Sequence, residues 1–366
     1  MQSNISTLNR LRKAYLTIGH SFGIWISPIF SGLLISILRL MISLGMFMDK
    51  IVYPSIRTRR ITNPIVIVGN PRSGTTFLHR FLIKNNIGAG AQLWQLLYPS
   101  LFIQKCIHPF LPILEIISPA RHHSTEAHKT SLQSVETDDV SILFRYLDGF
   151  FLYGFILSWA EEDLFEWFDP KIRDTSARDF NWLESIWRRV LKQSSNDKII
   201  AKLFSISANL PRFMTRFPDA KILYMVRDPL SVIPSGLSLV TGVLEKRFGF
   251  WNLPEDRRKT YIDRLYKALV TLLIRFHDDW INDRIDRSKV MIVHFDKMMN
   301  NFDGLMSEIL SFFNHEPSTD LINSIQQTAD SQRNFKSKHN YDLEKFGLNA
   351  KQIRSDCSKI YETFLT

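Results

Sequence analysis

Residues 65–78 read Ile-Val-Ile-Val-Gly-Asn-Pro-Arg-Ser-Gly-Thr-Thr-Phe-Leu, and this stretch constrains the fold more than any other. Four β-branched residues in a row are the composition of a short strand buried on both faces, in the middle of a parallel sheet. Gly69 and Pro71 interrupt it, and Phe77, Leu78, Phe81 and Leu82 resume the apolar pattern at helical spacing. A strand, a tight loop and a helix start in succession align backbone N–H groups at the positive end of a helix dipole. Such an arrangement binds phosphate or sulfate oxyanions. The plain alternative is a Gly-containing turn with no ligand.

The spacing Gly69-x-x-x-x-Gly74 is that of a nucleotide P-loop, but Thr75 stands where a nucleotidase carries lysine. In the ATP and GTP loops that lysine reaches the terminal phosphates and the next hydroxyl holds Mg²⁺. Here the fixed cation lies inside the loop, at Arg72, whose planar guanidinium can grip two anionic oxygens at once. The loop is suited to a terminal anionic group and lacks the usual kinase lysine.

Pro71-Arg72-Ser73-Gly74-Thr75-Thr76 resembles the 5′-phosphosulfate loop of the sulfotransferase family, which reads Pro-(Lys/Arg)-Ser-Gly-Thr-Thr. A second stretch, Lys221-Ile-Leu-Tyr-Met-Val-Arg227-Asp-Pro-Leu-Ser-Val-Ile-Pro-Ser235, resembles that family's other donor motif. There a strand ends in Arg-Asp-Pro, and a serine eight residues after the arginine joins it on the donor's 3′-phosphate. A third stretch, His339-Asn-Tyr-Asp-Leu-Glu-Lys-Phe-Gly-Leu, resembles the ending of bacterial-type members. The tail lacks the Arg-Lys-Gly segment by which cytosolic animal enzymes hold the 3′-phosphate. The resemblance covers roughly residues 61–366. It implies 3′-phosphoadenylyl sulfate as co-substrate, held by Arg72, Ser73, Gly74, Thr75, Thr76, Arg227 and Ser235, with no metal.

Charge and cysteine content narrow the alternatives. The net charge is +10, from 46 Lys and Arg against 36 Asp and Glu. That balance alone would suggest nucleic acid. No zinc-finger spacing, arginine-rich run or aromatic-basic motif supports it, so no nucleic-acid partner is expected. A doubly phosphorylated donor and an anionic membrane surface account for the charge. Cys106 and Cys357 are the only cysteines, too few for a disulfide framework or a cysteine-rich metal site, and compatible with a reducing compartment. His108, His122, His123 and His128 lack helical zinc spacing and read as a solvated loop rather than a metal site.

From Ala14 to Met48 the only charged residue is Arg39, apart from the titratable His20. Ser21–Leu38 approaches the ~20 residues needed to span a bilayer. Pro28, Gly32 and four serines weaken that span. Three readings stay open: a transmembrane or half-inserted anchor, an interfacial amphipathic hairpin, and a buried helical lid. Basic residues flank it, Arg10, Arg12 and Lys13 before, and Arg39, Lys50, Arg57, Arg59 and Arg60 after. The positive-inside tendency puts the downstream domain in the cytoplasm. The expected division is a membrane-associating segment over 1–60 and a sulfotransferase domain over 61–366.

The runs Ile65–Val68, Ile199–Phe204, Ile222–Val226 and Val290–Val293 read as buried strands. Helical patterns cover Thr75–Lys84, Asp138–Ala160, Phe180–Leu191, Ala208–Arg216, Ser231–Leu239, Tyr261–Trp280 and Phe302–Phe313. Alternation of the two predicts an α/β fold, a P-loop-like parallel sheet flanked by helices, preceded by an N-terminal hydrophobic helical segment. Pro99–Thr137 is poorly periodic and reads as an irregular stretch lining a substrate mouth. The apolar, aromatic Asp138–Ala160 reads as core or as a greasy acceptor pocket.

Sulfuryl transfer requires a base for the acceptor hydroxyl, cations on the sulfonate oxygens and stabilisation of the departing phosphate. Arg72 and the N–H groups of the loop can meet the last two. Lys202, at the end of its strand, matches a lysine that many sulfotransferases carry there; a surface lysine is the alternative. His128-Lys-Thr-Ser-Leu-Gln-Ser-Val-Glu136-Thr-Asp138-Asp139 resembles an acidic stretch of bacterial-type relatives. It offers Glu136 or His128 as base, with helix capping as the plain reading of the acids. Trp94-Gln95 stands where relatives often read Trp-Glu. The resulting expectation is a membrane-associated sulfotransferase acting on a hydroxyl of a lipid or other apolar molecule. The rivals are a P-loop kinase or nucleotidase, and a non-catalytic membrane-anchored nucleotide-binding protein.

Overall fold

The computed structural model describes residues 5–118, 130–333 and 343–365. The chain divides into two compact units. One comprises Met1–Ile61, Ala89–Ile199 and Leu237–Ala268; the other Thr62–Gly88, Ile200–Gly236 and Leu269–Thr366. Among the described residues, the helices of ten or more residues are α1 (Thr7–Phe22), α2 (Ser27–Val52), α3 (Thr75–Lys84), α4 (Ser176–Gln193), α5 (Pro229–Phe248), α6 (Glu255–Ile281), α7 (Phe302–Phe313) and α8 (Thr319–Arg333).

The second unit carries the sheet. Strands β1 (Ile65–Val68), β2 (Ile200–Lys202), β3 (Lys221–Val226) and β4 (Val290–His294) lie parallel in the order β2-β1-β3-β4. Val66 pairs with Ala201 on one side and Ile222 on the other. Every residue of β1 is buried, as its uninterrupted β-branched run requires. Ile65, Ile67, Leu223 and Met225 point into a cluster with Leu78, Phe81 and Leu82 of α3 and Leu305, Ile309 and Leu310 of α7. Tyr224, of opposite parity, stacks on Phe276 of α6. Helices therefore cover both faces. The chain leaves β1 for one neighbour and later returns to its other side, which creates a switch point at the carboxyl ends of β1 and β3. Open α/β sheets bind ligands in that crevice.

In the first unit the structure departs from the periodicity in three places. Ser21–Leu38 is not one helix: Gly23, at φ 68°, ends α1, and α2 starts at Ser27 with proline in its first turn. The long apolar helix is instead the 26-residue Ser27–Val52, long and apolar enough to cross a membrane but close to the N-terminus.

Asp138–Ala160 is also broken, into Asp139–Tyr146, Phe150–Phe155 and a 3₁₀ turn at Leu157–Trp159. The break falls at Leu147, whose φ is 47°. Next to it the buried Asp148 carboxylate contacts Arg173 at 2.6 Å, Arg178 at 2.8 Å and Arg10 at 3.5 Å. A buried carboxylate among three guanidiniums outweighs one helical hydrogen bond. Leu152, Tyr153, Leu157 and Trp159 are buried, so this stretch packs as core.

Pro99–Thr137 is more regular than its pattern suggests. Leu101–Ile107, His108–Phe110 and Leu111–Ile117 are helical, and residues 119–129 fall outside the described residues. The reason is capping from afar. Asp49 of α2 accepts the backbone N–H groups of Leu101 and Phe102 at 3.0 and 2.9 Å, supplementing the local cap at Ser100.

Candidate functional site

The loop between β1 and α3 owes its shape to close packing. A Cβ on Gly69 would lie 2.7 Å from the Met225 carbonyl oxygen, and its φ of 140° disfavours any side chain. The backbone there can approach β3 only as glycine. Asn70 holds the turn: its carbonyl accepts the Ser73 N–H and hydroxyl at 3.2 and 2.7 Å. Its Nδ2 donates to the Leu269 carbonyl at 3.0 Å. Gly74 is the N-cap of α3, so the first-turn N–H groups open toward the loop concavity.

Arg72 adopts φ 77°, a left-handed conformation that is uncommon for a non-glycine residue. Two groups from β3 and α5 hold it there. Arg227 Nη1 donates to the Arg72 carbonyl at 2.8 Å. Arg72 Nε donates to Ser235 Oγ at 3.0 Å. The Arg227 guanidinium also lies over the Phe295 ring, 4.0 Å from its centroid. Ser235 is buried in the second turn of α5, and Asp228 starts that helix by accepting the Leu230 N–H at 2.9 Å. Asp228 also accepts the Tyr361 hydroxyl at 2.5 Å. Burial and this bond push that hydroxyl's pKa up. At the end of β2, Lys202 is buried and donates to Thr76 Oγ1 at 2.9 Å. Arg72, Ser73, Gly74, Thr75, Thr76, Lys202, Arg227 and Ser235 thus all belong to the second unit, at the carboxyl ends of β1, β2 and β3.

Glu136 belongs to the first unit. It is 5% exposed and accepts the Ser134 hydroxyl at 3.2 Å. An isolated antiparallel bridge between Val135 and Gln92 fixes its position, with Leu93 and Trp94 N–H groups donating to Ser134 and Leu132. Helix Asp139–Tyr146 begins after it, and Asp138 accepts the Trp187 indole N–H at 2.9 Å rather than capping. His128 lies outside the described residues. Gln95 accepts the Gln92 N–H at 2.9 Å and bonds Gln193 at 3.0 Å, closing a capping box.

Asn70, Phe295 and Tyr361 were not singled out in the sequence. Asn70 lies inside the motif and could have been noticed. Phe295 and Tyr361 carry no local signal, because their roles depend on which strand ends become neighbours.

The geometry defines a class first: an α/β protein with a strand–loop–helix turn at the switch point of a parallel sheet, where Arg227 and Ser235 meet Arg72. Residues 64–320 match the Sulfotransferase family. That is well over half of the chain, and the protein belongs to the sulfotransferase family. The curated relatives it matches include the omega-hydroxy-beta-dihydromenaquinone-9 sulfotransferases Stf3 of Mycobacterium bovis and Mycobacterium tuberculosis. Each is 26% identical over 215 residues, 56% of this chain and 53% of theirs. The match thus spans about half the length of those relatives. Among solved structures, sulfotransferase STF1 of Mycobacterium tuberculosis superposes with a TM-score of 0.70 at 17% identity, covering 96% of this chain and 90% of that one. Sulfotransferase STF9 of Mycobacterium avium gives 0.67 at 15% identity, covering 88% and 81%. At these identities the likeness concerns the fold.

Proposed function

We propose that the protein transfers a sulfuryl group from 3′-phosphoadenylyl sulfate to a hydroxyl of a lipid-like acceptor, with residues 61–366 as the catalytic domain. One observation carries the reading: Arg227 and Ser235, from the second motif, both close on Arg72 of the first. Two stretches far apart in the chain thereby form one cationic site with hydroxyl and backbone donors.

The donor, when bound, supplies a sulfuryl group activated as a mixed anhydride with phosphate. The loop N–H groups from Ser73 to Thr76 and the Arg72 guanidinium hold its 5′-phosphate, and Arg227 and Ser235 hold its 3′-phosphate. Lys202, oriented by Thr76, places a positive charge on the sulfonate oxygens. The acceptor oxygen forms the new S–O bond as the bridging S–O bond to phosphate breaks. Glu136 takes the hydroxyl proton, and the arginines stabilise the departing phosphate; His128 is the second choice of base.

The lipid-like acceptor draws support from the named substrate of the Stf3 relatives and from the apolar N-terminal helix. The basic flanks of that helix favour a cytoplasmic catalytic domain on a membrane. The test is transfer of labelled sulfate from the donor into a total lipid extract. Labelled lipid that forms in excess EDTA supports the reading. No labelled product, or activity that collapses on chelation and returns with Mg²⁺, refutes it.

A further inference from the structure

The first unit shows how the apolar helix α2 can meet a membrane. A crossing helix must offer its whole circumference to about 30 Å of hydrocarbon. Here one side of α2 is already occupied. Arg39 donates to the Phe144 carbonyl at 2.5 Å, and Arg145 donates to Ser43 Oγ at 2.8 Å. At Gly45 a Cβ would lie 2.6 Å from Ile103 and Ser100, so helix Leu101–Ile107 presses directly on α2. Asp49 pairs with Arg189 at 2.8 Å, their side chains 0% and 3% exposed. Removing that carboxylate from its partner and from the N–H groups it caps would leave buried charge uncompensated.

The other side of α2 is bare. Phe30, Leu34, Leu40, Leu44, Phe47 and Ile51 are each between 57% and 68% exposed, one stripe along the helix. In the same unit Phe110, Ile113 and Ile116 are also about 60% exposed. An apolar stripe running the length of one helix marks a lipid or protein contact.

Charge selects the occupant. Lys50 in the last turn of α2, and Arg57 and Arg60 just beyond it, are exposed. An apolar face with exposed basic side chains at its end is complementary to an anionic lipid leaflet.

We propose that α2 does not cross the membrane but lies in the plane of an anionic leaflet, inserting the stripe from Phe30 to Ile51 with Lys50, Arg57 and Arg60 toward lipid phosphate. This rests on the membrane-association part of the reading above and is independent of the transfer chemistry, because its test uses neither donor nor acceptor.

The experiment is sedimentation of the full chain with vesicles of phosphatidylcholine alone or mixed with phosphatidylglycerol. Binding should favour the mixed vesicles. Leu34→Glu with Leu44→Glu should weaken it by more than about tenfold, with the circular dichroism spectrum unchanged. Arg57→Gln with Arg60→Gln should reduce the preference for the anionic vesicles by at least about fivefold. Depth is read from Leu33→Cys and Met48→Cys, each in a Cys106→Ser background, by quenching of an attached fluorophore with spin-labelled lipids. Lying in plane, the two probes report the same shallow depth. Crossing separates them by about 22 Å along the helix axis, which would overturn the proposal. So would absence of vesicle binding, or concentration-dependent self-association abolished by the same glutamates.

Discussion

Replacing Arg227 by alanine is the sharpest probe of the proposed donor site. Two interactions disappear together: the charged hydrogen bond to the Arg72 carbonyl at 2.8 Å and the stacking on Phe295 at 4.0 Å. In the proposed complex a third goes with them, the contact to the 3′-phosphate. A hydrogen bond to a charged group contributes about 1.5–3 kcal/mol. At 1.36 kcal/mol per tenfold, that predicts 3′-phosphoadenosine 5′-phosphate binding weaker by about ten- to 150-fold.

Arg72 adds to this. Its left-handed backbone, φ 77°, carries about 1–3 kcal/mol of strain that Arg227 helps to hold. The alanine variant should therefore fall toward the upper end of the range. Ser235→Ala removes one hydroxyl partner of Arg72 and should cost less. Because both side chains act on Arg72, the double variant should lose less than the sum. Arg227→Lys keeps the charge without the planar stacking and should be intermediate. Isothermal titration calorimetry reads all four. Wild-type affinity in both Arg227→Ala and Ser235→Ala would refute the assignment of the second motif.

Three further outcomes follow from other parts of the structure. If Glu136 takes the acceptor proton, Glu136→Gln lowers turnover by about 10²–10⁴-fold with donor affinity nearly unchanged; a large loss in His128→Asn with none in Glu136→Gln moves the base to the histidine. Gly69→Ala puts a Cβ 2.7 Å from the Met225 carbonyl oxygen at φ 140°. It should lower stability by about 1–3 kcal/mol and weaken nucleotide binding, and a variant melting and binding like wild type would contradict the packing argument. For Asp148, burial raises its pKa, but hydrogen bonding and charge from Arg173, with Arg10 and Arg178, outweigh that and leave it below 3.8. A depressed carboxylate contributes stability above its unfolded pKa and loses it as pH falls through the folded one. Asp148→Asn should cost about 3–5 kcal/mol at neutral pH, with the gap to wild type in urea titrations closing only below pH 3.8. A gap independent of pH would show that the charge is not what matters.

The sheet and the loop between β1 and α3 were legible because their signals are local. An uninterrupted β-branched run followed by a glycine-broken turn leaves few alternatives, and α3 and α7 occupy the residues their periodicity indicated, Thr75–Lys84 and Phe302–Phe313. The second motif was legible in the same way, from a strand ending in Arg-Asp-Pro with a serine on the following helix. In two of the three places where the pattern misled, a distant charge had intervened. Asp49 stabilises a helix start at Leu101 that its own sequence signals only weakly, and Asp148 among its arginines accompanies the break in what reads as a continuous helix.

The amino-acid sequence on its own was enough for the α/β class, for the strand, loop and helix over 65–84 and for the strand that precedes Arg227. Those depend on neighbours in the chain, where backbone preference and spacing act directly. Only the tertiary structure decided that Arg227 and Ser235 close on Arg72, that Asn70 and Phe295 support them, and that α2 is docked along one face and bare along the other. Each of these depends on which side chains meet across long loops. That is settled by the burial of apolar surface and the pairing of buried charges over the whole unit, terms that no local stretch contains.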